Sequence, residues 1–152
     1  MDKINSFTVD HTKINKGIYI SKIDKDIVTY DIRMVKPNTS PYLENAALHS
    51  FEHLFATIIR NSKFSNNVIY FGPMGCRIGF YLLLRDLSHE TALNLILDTF
   101  KKIISFSNIL PGKSIEECGN YLEHDIKKAK IYAKEMYPIL DKWKISNLYY
   151  KI

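Results

Sequence analysis

A long apolar helix is the feature that most constrains how this chain can fold. Its apolar side chains run from Leu43 to Ile59 and recur three or four positions apart, the spacing of residues that share a face of an α-helix. Most positions of the segment are apolar, so we expect the helix to be buried on most sides by other elements. We expect Ser40 to be its N-cap, Pro41 its first helical residue and Asn61 its approximate end.

Strands and further helices are expected on both sides of this helix. Runs of β-branched and aromatic residues favour strands, whereas clusters of Gly and Pro favour turns. The sequence predicts strands over 6–11, 17–24, 26–35, 67–72 and 76–86, a turn over 72–75, helices over 89–106 (capped by Ser88) and 115–136, and a fourth helix after Pro138. Strands and helices do not alternate regularly, so the expected class is α+β, with an antiparallel sheet packed against helices.

The composition is that of one soluble domain. The 152 residues are 46% apolar and 24% charged, ordinary values for a chain of single-domain size, so we expect one domain over residues 1–152. The net charge of +5 comes mainly from scattered lysines, which favours a solvated surface over a nucleic-acid-binding face. The sequence shows no bilayer-spanning apolar run and no signal-peptide pattern. We therefore expect a cytoplasmic protein in which Cys76 and Cys118 stay reduced.

The long helix carries the motif HSFEH, which spans residues 49–53. His49 and His53 are four positions apart, so both imidazoles come off nearly the same side of a helix and can reach one metal ion. Glu52 comes off the same broad face and can act as an acid or base beside them. Taken alone, the motif is equally compatible with polar residues on a helix surface. The apolar flanks favour a metal, because buried polar side chains need partners.

Two imidazoles require a further ligand from elsewhere in the chain. The candidates are Cys118, Cys76, His11, His89 and His124. Cys118 lies at the predicted start of the third helix, where the helix N-terminus favours a thiolate; an inert buried thiol is the alternative. His89 is expected at the surface. A helix through Cys118 would turn His124 away from the same ion, so we expect His124 to be structural or to act behind the ligands.

Cys76 lies in the segment GPMGCRIGF, next to a predicted tight turn. Glycines at 75 and 79 allow the backbone to approach another group closely, and Arg77 can stabilise a thiolate. A cysteine at this position is well placed to face a pocket. The alternative is a small core residue, which is the usual environment of a cysteine.

Five segments together resemble the S-ribosylhomocysteine lyase (LuxS) family. They are SFTVDHTKI, DIRMVKPN, HSFEHLFATIIR, GPMGCRIGFYL and ECGNYLEHD, and their order and spacing also fit. The resemblance implies a LuxS/metallohydrolase-like fold and a homodimer with two sites at the interface, each built from both subunits. It also implies one divalent metal per subunit, natively iron(II), which zinc or cobalt can replace.

The resemblance assigns roles to individual residues. The implied metal ligands are His49, His53 and Cys118, and the implied acid/base pair is Glu52 and Cys76. The implied positions near the substrate are Ser6, His11, Arg33 and Arg60. The implied reaction cleaves the thioether of S-ribosylhomocysteine to homocysteine and 4,5-dihydroxy-2,3-pentanedione, the precursor of the quorum-sensing signal autoinducer-2. Two roles of this product are open. It is used as a signal, or it is formed only as a by-product of the recycling of methyl-donor waste.

Some features leave other readings open. Ile78 stands where many family members carry threonine, and Tyr70 and Gly72 stand where several carry aspartate and serine. An inverted-motif metallopeptidase is one alternative function, with Glu116, Glu117 or Glu123 as the third ligand; Cys118 and the GPMGCR turn argue against it. A non-catalytic metal-binding domain is the other alternative, and it leaves Glu52 and Cys76 without a role.

Overall fold

The computed structural model describes residues 1–151, which form an α+β fold. The elements are β1 (Gly17–Asp24), β2 (Ile27–Arg33), α1 (Asn45–Arg60), β3 (Val68–Pro73), β4 (Gly79–Arg85), α2 (His89–Ile104) and α3 (Ile126–Asp141), with short 3-10 turns at Asn5–Phe7, Ser65–Asn67 and Ile145–Asn147. The four strands lie in the order β1-β2-β4-β3, and every neighbouring pair is antiparallel. The predicted α+β class and antiparallel sheet are confirmed.

Helix α1 is the centre of the core, as its apolar pattern predicts. Phe55 is fully buried and stacks on Phe71 of β3, with 4.0 Å between ring centroids. Phe51 lies one turn earlier and stacks on Phe80 of β4 at 4.9 Å. Helices α2 and α3 also contact α1. Because α1 is enclosed by the sheet and two helices, only a narrow strip of it is left for polar side chains, and His49, Glu52 and His53 lie there, each half-buried.

Strands β1, β2 and β3 and helix α2 follow the prediction closely. β1 and β2 match the predicted segments 17–24 and 26–35 to within two residues, and β3 matches 67–72 to within one residue. Ser88 caps α2 as predicted, because its hydroxyl oxygen accepts a hydrogen bond of 3.1 Å from the backbone N–H of Thr91. No helix in residues 1–151 has both the length and the apolar character needed to cross a membrane.

The predicted strand over 6–11 is wrong. Residues 5–7 form a 3-10 turn, and the following residues are held by local side-chain bonds. The Thr8 hydroxyl donates to the Asn5 carbonyl at 2.7 Å, and the Asp10 carboxylate accepts from both the backbone and the hydroxyl of Thr12. Such bonds satisfy the backbone locally and compete with strand pairing.

The predicted start of α1 at Ser40 and Pro41 is also wrong. The helix begins at Asn45, after a loop whose backbone donors bond to distant elements. The Leu43 N–H donates to the Arg77 carbonyl at 3.0 Å, and the next N–H donates to a tyrosine hydroxyl of α3. These tertiary contacts hold the chain extended up to the helix.

The turn between β3 and β4 lies two residues later than predicted. Met74 and Arg77 close it, since the Met74 N–H bonds to the Gly79 carbonyl at 2.8 Å and the Arg77 N–H bonds to the Met74 carbonyl at 3.0 Å. Arg77 adopts a left-handed backbone conformation with φ of 60°, which fits a tight turn. Cys76 therefore lies in the turn itself, before β4 starts.

Helix α3 begins eleven residues later than predicted and continues past Pro138. Its start is set by Asp125, whose carboxylate accepts a hydrogen bond of 2.9 Å from the Lys128 N–H. Residues before it form turns instead of helix. Pro138 removes one backbone bond near the end of the helix, while the buried side chains of Met136 and Leu140 on either side keep this turn packed on the core.

Candidate metal centre and cysteine pocket

Four metal-binding side chains meet beside α1. They are His49, His53, Cys118 and His124, and one ligand atom from each lies within 4.8 Å of the others. The two histidines come from the polar strip of α1, and the other two residues come from the turns that precede α3. The structure thus brings together the three ligands that the family resemblance implies and adds a third histidine.

Two of the histidines are oriented by backbone carbonyl groups. The Nδ1 atom of His49 donates to the Glu123 carbonyl at 2.8 Å, and the Nδ1 atom of His53 donates to the Pro111 carbonyl at 2.9 Å. A carbonyl oxygen only accepts hydrogen bonds, so each Nδ1 carries the proton and each Nε2 keeps a free lone pair. Metal-binding histidines are typically oriented in this way.

The cysteine thiol fits the same centre. The Sγ atom of Cys118 lies 3.5 Å from Nε2 of His49, and two ligands of one tetrahedral ion are separated by about 3.6 Å for ordinary zinc–sulfur and zinc–nitrogen distances. The Asn120 backbone N–H also donates to this sulfur at 3.4 Å. The predicted helix N-terminus at Cys118 is wrong, because α3 starts at Ile126, and the Asn120 N–H takes over the expected stabilisation of a thiolate.

The expectation that His124 turns away from the ion is wrong. It depended on a helix through Cys118, whereas the chain between the two residues turns back and brings Nε2 of His124 to 3.7 Å from the Cys118 sulfur. Burial, followed by the charges of His49 and His53, lowers the pKa of His124 to about 4, so its ring is neutral at pH 7. The capping signal of Asp125 was the sequence feature that marked the true helix start.

The glutamates that a metallopeptidase would use lie outside the cluster. The Glu117 carboxylate accepts from the Ser114 hydroxyl at 3.1 Å, and the Glu123 carboxylate accepts from the Asn120 side chain at 3.3 Å. Among residues 1–151 the four-residue cluster contains no carboxylate. The donor set is therefore imidazole and thiolate, which differs from the His-His-Glu set of the peptidase alternative.

Cys76 lines a separate pocket together with three of the implied substrate residues. The pocket has a volume of about 340 Å³, and Ser6, His11 and Arg33 are among its lining residues. The other lining residues are Phe7, Pro37, Asn38, Tyr42, Met74, Ile78 and Tyr81. Cys76 itself is exposed, so the alternative of a small core residue is wrong.

A buried ionic network supports Arg33 from behind. Arg33 and Asp31 are each 2% exposed at the side chain, and they form an ion pair at 3.4 Å. The Tyr150 hydroxyl donates to the Asp31 carboxylate and accepts a hydrogen bond of 3.0 Å from Nε of Arg33. Burial raises the pKa of the Asp31 carboxyl and also raises the pKa of the Tyr150 hydroxyl. Neither partner of Arg33 is among the residues predicted from the sequence, although Asp31 and Arg33 share a face of one strand.

Comparisons with known proteins decide the family. The family model for S-ribosylhomocysteinase (LuxS) matches residues 4–146, nearly the whole chain. The chain belongs to the LuxS family. A similar protein is the S-ribosylhomocysteine lyase of Borreliella burgdorferi (strain ZS7), which is 45% identical over 99% of both chains. The lyases of Finegoldia magna and Clostridium acetobutylicum are 41% and 42% identical over 99% and 93% of both chains, respectively.

Tyr70 and Gly72, two residues of β3 in this LuxS chain, are physically coupled. The Tyr70 phenol folds over Gly72, so that a Cβ atom added at Gly72 would lie 2.1 Å from the Tyr70 hydroxyl oxygen. A side chain at 72 and the present position of the Tyr70 ring exclude one another. A side chain at 72 would therefore displace the exposed Tyr70 ring, which lies two residues earlier on the same face of β3.

The pocket that contains Cys76 and the cluster of four possible metal donors have no residue in common. Among residues 1–151, the lining of the Cys76 pocket includes neither a residue of α1 nor one from 111–125. Glu52 stays with the histidines on the half-buried strip of α1, and Arg60 is the exposed last residue of that helix. The donor cluster and Cys76 thus belong to two separate groups of residues in one subunit.

Proposed function

We propose that this protein is an S-ribosylhomocysteine lyase, a carbon–sulfur lyase that releases homocysteine and 4,5-dihydroxy-2,3-pentanedione. The observation that carries the proposal is the meeting of His49, His53 and Cys118 in one donor cluster of a LuxS chain. A bound metal would supply Lewis acidity that stabilises negative charge on a sugar oxygen. Imidazole and thiolate donors suit iron(II), zinc and cobalt(II), and we propose one iron(II) per subunit.

Glu52 and Cys76 are proposed to move the protons of the reaction. Cleavage of the thioether requires the ribose to open and its carbonyl to shift from C1 to C2 and then to C3. Each shift takes a proton from one carbon and returns one to its neighbour, and the final β-elimination takes the C4 proton as the C5 sulfur leaves. Two side chains with different positions can serve these neighbouring atoms. Cys76 then acts as an acid/base and forms no covalent bond with the substrate.

The remaining residues of the Cys76 pocket are proposed to bind the substrate. Ser6, His11 and Arg33 surround the cysteine. Arg33, whose guanidinium is held by Asp31 and Tyr150, is proposed to orient an anionic group of the substrate from the pocket wall. Nδ1 of His11 donates to the Val9 carbonyl at 2.9 Å, which leaves Nε2 free to accept a hydrogen bond. Arg60 is proposed to contact the substrate from the end of α1.

A homodimer is proposed to unite the two halves of the site. Cys76 and the metal-binding residues must reach the same substrate, yet the pocket of Cys76 contains none of the metal-binding residues. Large apolar residues beside the metal-binding segment are exposed, with Ile109 at 84% and Leu122 at 80%, which fits a surface covered by a partner. Each of the two sites would then combine the cluster of one subunit with the cysteine pocket of the other.

The proposal also includes one catalytic domain over residues 1–152 and a cytoplasmic location. Both cysteines are free thiols in the structure, as the chemistry requires. A reducing compartment keeps Cys76 available as an acid/base and Cys118 available as a ligand. The use of the product, as a signal or as a by-product of recycling, depends on the cell and not on the chemistry of the site.

The test is an anaerobic purification followed by metal analysis and a thiol-release assay with S-ribosylhomocysteine. The wild type is expected to hold one metal per chain and to release homocysteine. Cys76→Ala should keep the metal and lose turnover, whereas Cys118→Ala should lose the metal. Metal without homocysteine release from a folded dimer would refute the lyase, and normal turnover of Cys76→Ala would refute the acid/base role.

A further inference from the structure

His124 differs from the other two histidines of the cluster in the partner of its Nδ1 atom. His49 and His53 donate from Nδ1 to carbonyl oxygens, which fixes the proton on that nitrogen. Nδ1 of His124 instead lies 3.0 Å from the hydroxyl oxygen of Ser50. A hydroxyl can donate as well as accept, so the proton of His124 is not confined to Nδ1.

The surroundings of Ser50 determine which group donates. Ser50 lies on the inner face of α1 and is 0% exposed. Its oxygen already accepts a hydrogen bond of 2.8 Å from the Asp125 N–H. If His124 also donated to this oxygen, the hydroxyl proton of Ser50 would be buried and could not bond to the imidazole. Such a loss of a hydrogen-bond acceptor is energetically unfavourable. The hydroxyl therefore donates to Nδ1, which leaves the imidazole N–H on Nε2.

We infer that His124 is a positioning residue that donates a hydrogen bond from Nε2 to the Cys118 thiolate and is not a ligand of the metal. The two atoms are 3.7 Å apart, and the ring is held in place by stacking on His49 with 3.9 Å between centroids. Together with the Asn120 N–H, this bond would give the sulfur two protein donors. The inference rests on the proposed metal site.

This role keeps the centre suitable for catalysis. Four protein ligands would make a closed, structural type of site, whereas three leave a position for substrate or water. The Ser50 hydroxyl sets the tautomer, and the tautomer prevents Nε2 from binding the metal. Hydrogen bonds to a ligating thiolate also lower its charge donation to the metal.

The test uses cobalt(II)-loaded protein, because cobalt reports both its coordination and its bond to sulfur. His124→Ala should leave the ligand-field bands in place and move the thiolate-to-cobalt charge-transfer band to lower energy. Its affinity for cobalt, measured by competition with a chelator, should fall about tenfold, as expected for loss of an outer partner of a ligand. His124→Gln, whose amide can still donate, should fall between the wild type and His124→Ala.

Ser50→Ala keeps the imidazole in the protein and removes only the hydroxyl that sets its tautomer. It should shift the charge-transfer band in the same direction, which tests the inference even if replacements of His124 fail to fold. Ser62→Ala is the matched control, since Ser62 bonds to the Ile59 carbonyl at the far end of the same helix, and it should leave both sets of bands unchanged.

The outcomes separate this inference from the proposed function. X-ray absorption of the metal-loaded wild type should show two imidazoles and one sulfur; three imidazoles would overturn the inference, as would changed ligand-field bands in His124→Ala. An unmoved charge-transfer band in both His124→Ala and Ser50→Ala would also overturn it. A wild type that binds no cobalt through sulfur would instead refute the proposed metal site itself.

Discussion

Replacement of Tyr150 by phenylalanine tests the buried network behind the cysteine pocket. The substitution keeps the aromatic ring, which stacks on Tyr19 with 4.5 Å between centroids. It removes only the hydroxyl that donates to Asp31 and accepts from Arg33. Both partners are ionisable and almost fully buried, so water cannot replace the lost bonds without a structural change.

The expected loss of stability follows from these two bonds. A hydrogen bond to a charged group contributes about 1.5–3 kcal/mol, and removal of one partner leaves the other unsatisfied. We therefore expect the free energy of unfolding of Tyr150→Phe to fall by about 2–4 kcal/mol. For a chain of this size, each kcal/mol lowers the melting temperature by about 2–4 °C, so the melting temperature should fall by about 4–16 °C.

The loss should also depend on pH. Burial raises the pKa of the Asp31 carboxyl, and the Tyr150 hydrogen bond is the largest effect that opposes this rise. Without the hydroxyl, the pKa of Asp31 rises further. A carboxyl whose pKa is raised by folding contributes stability at low pH, and that stability is lost as the pH increases through the folded-state pKa. The deficit of Tyr150→Phe should be largest near pH 7 and should narrow as the pH falls below the pKa of Asp31.

Urea unfolding of the wild type and the variant across this pH range measures both effects. Tyr149→Phe is the matched control, because Tyr149 is adjacent but 57% exposed, and its stability should stay within about 0.5 kcal/mol of the wild type. A deficit of Tyr150→Phe no larger than that of the control would refute the buried network. A large deficit that is the same at every pH would refute the coupling to Asp31.

Three further predictions test the core, a helix start and a strand. Phe51→Ala should lower the free energy of unfolding by about 3–5 kcal/mol, because a buried ring leaves a cavity; a loss below 1 kcal/mol in urea unfolding would contradict its central position. Asp125→Ala should lower the free energy of unfolding by about 1 kcal/mol, because the helix cap is lost, and it should speed hydrogen exchange of the Lys128 amide. Unchanged exchange of this amide would contradict the role of Asp125 as the cap. Gly72→Ser should lower the melting temperature, and the double variant Gly72→Ser/Tyr70→Ala should recover it. Equal melting temperatures of the single and the double variant would argue against a clash between the side chain at 72 and the Tyr70 ring.

Local sequence patterns predicted much of this fold. The apolar spacing from Leu43 to Ile59 identified α1, and Ser88 marked the start of α2. The position of His49 and His53 on one side of a helix also follows from local spacing alone. These features depend on residues within a few positions of each other, and such short-range periodicity can be recognised from the sequence alone.

The remaining site residues could not be placed by local patterns. Residues 111–125 form turns without periodicity, so the position of Cys118 beside α1 was implied only by the family resemblance. His124 was misplaced because the start of α3 was set too early, and a helix and a turn point the same residue in different directions. Tyr150 lies 119 positions from its partner Asp31, and no local pattern records such a contact.

The sequence by itself determined which side chains have the chemistry for a metal centre and a proton carrier, and which segments are apolar enough to build a core. Only the tertiary structure decided which of them meet. It brought His124 and Ser50 to the cluster, placed Cys76 in a separate pocket and buried Arg33 against Asp31. The physical reason is that contacts between distant segments depend on how complete elements pack, which a short stretch of sequence does not specify.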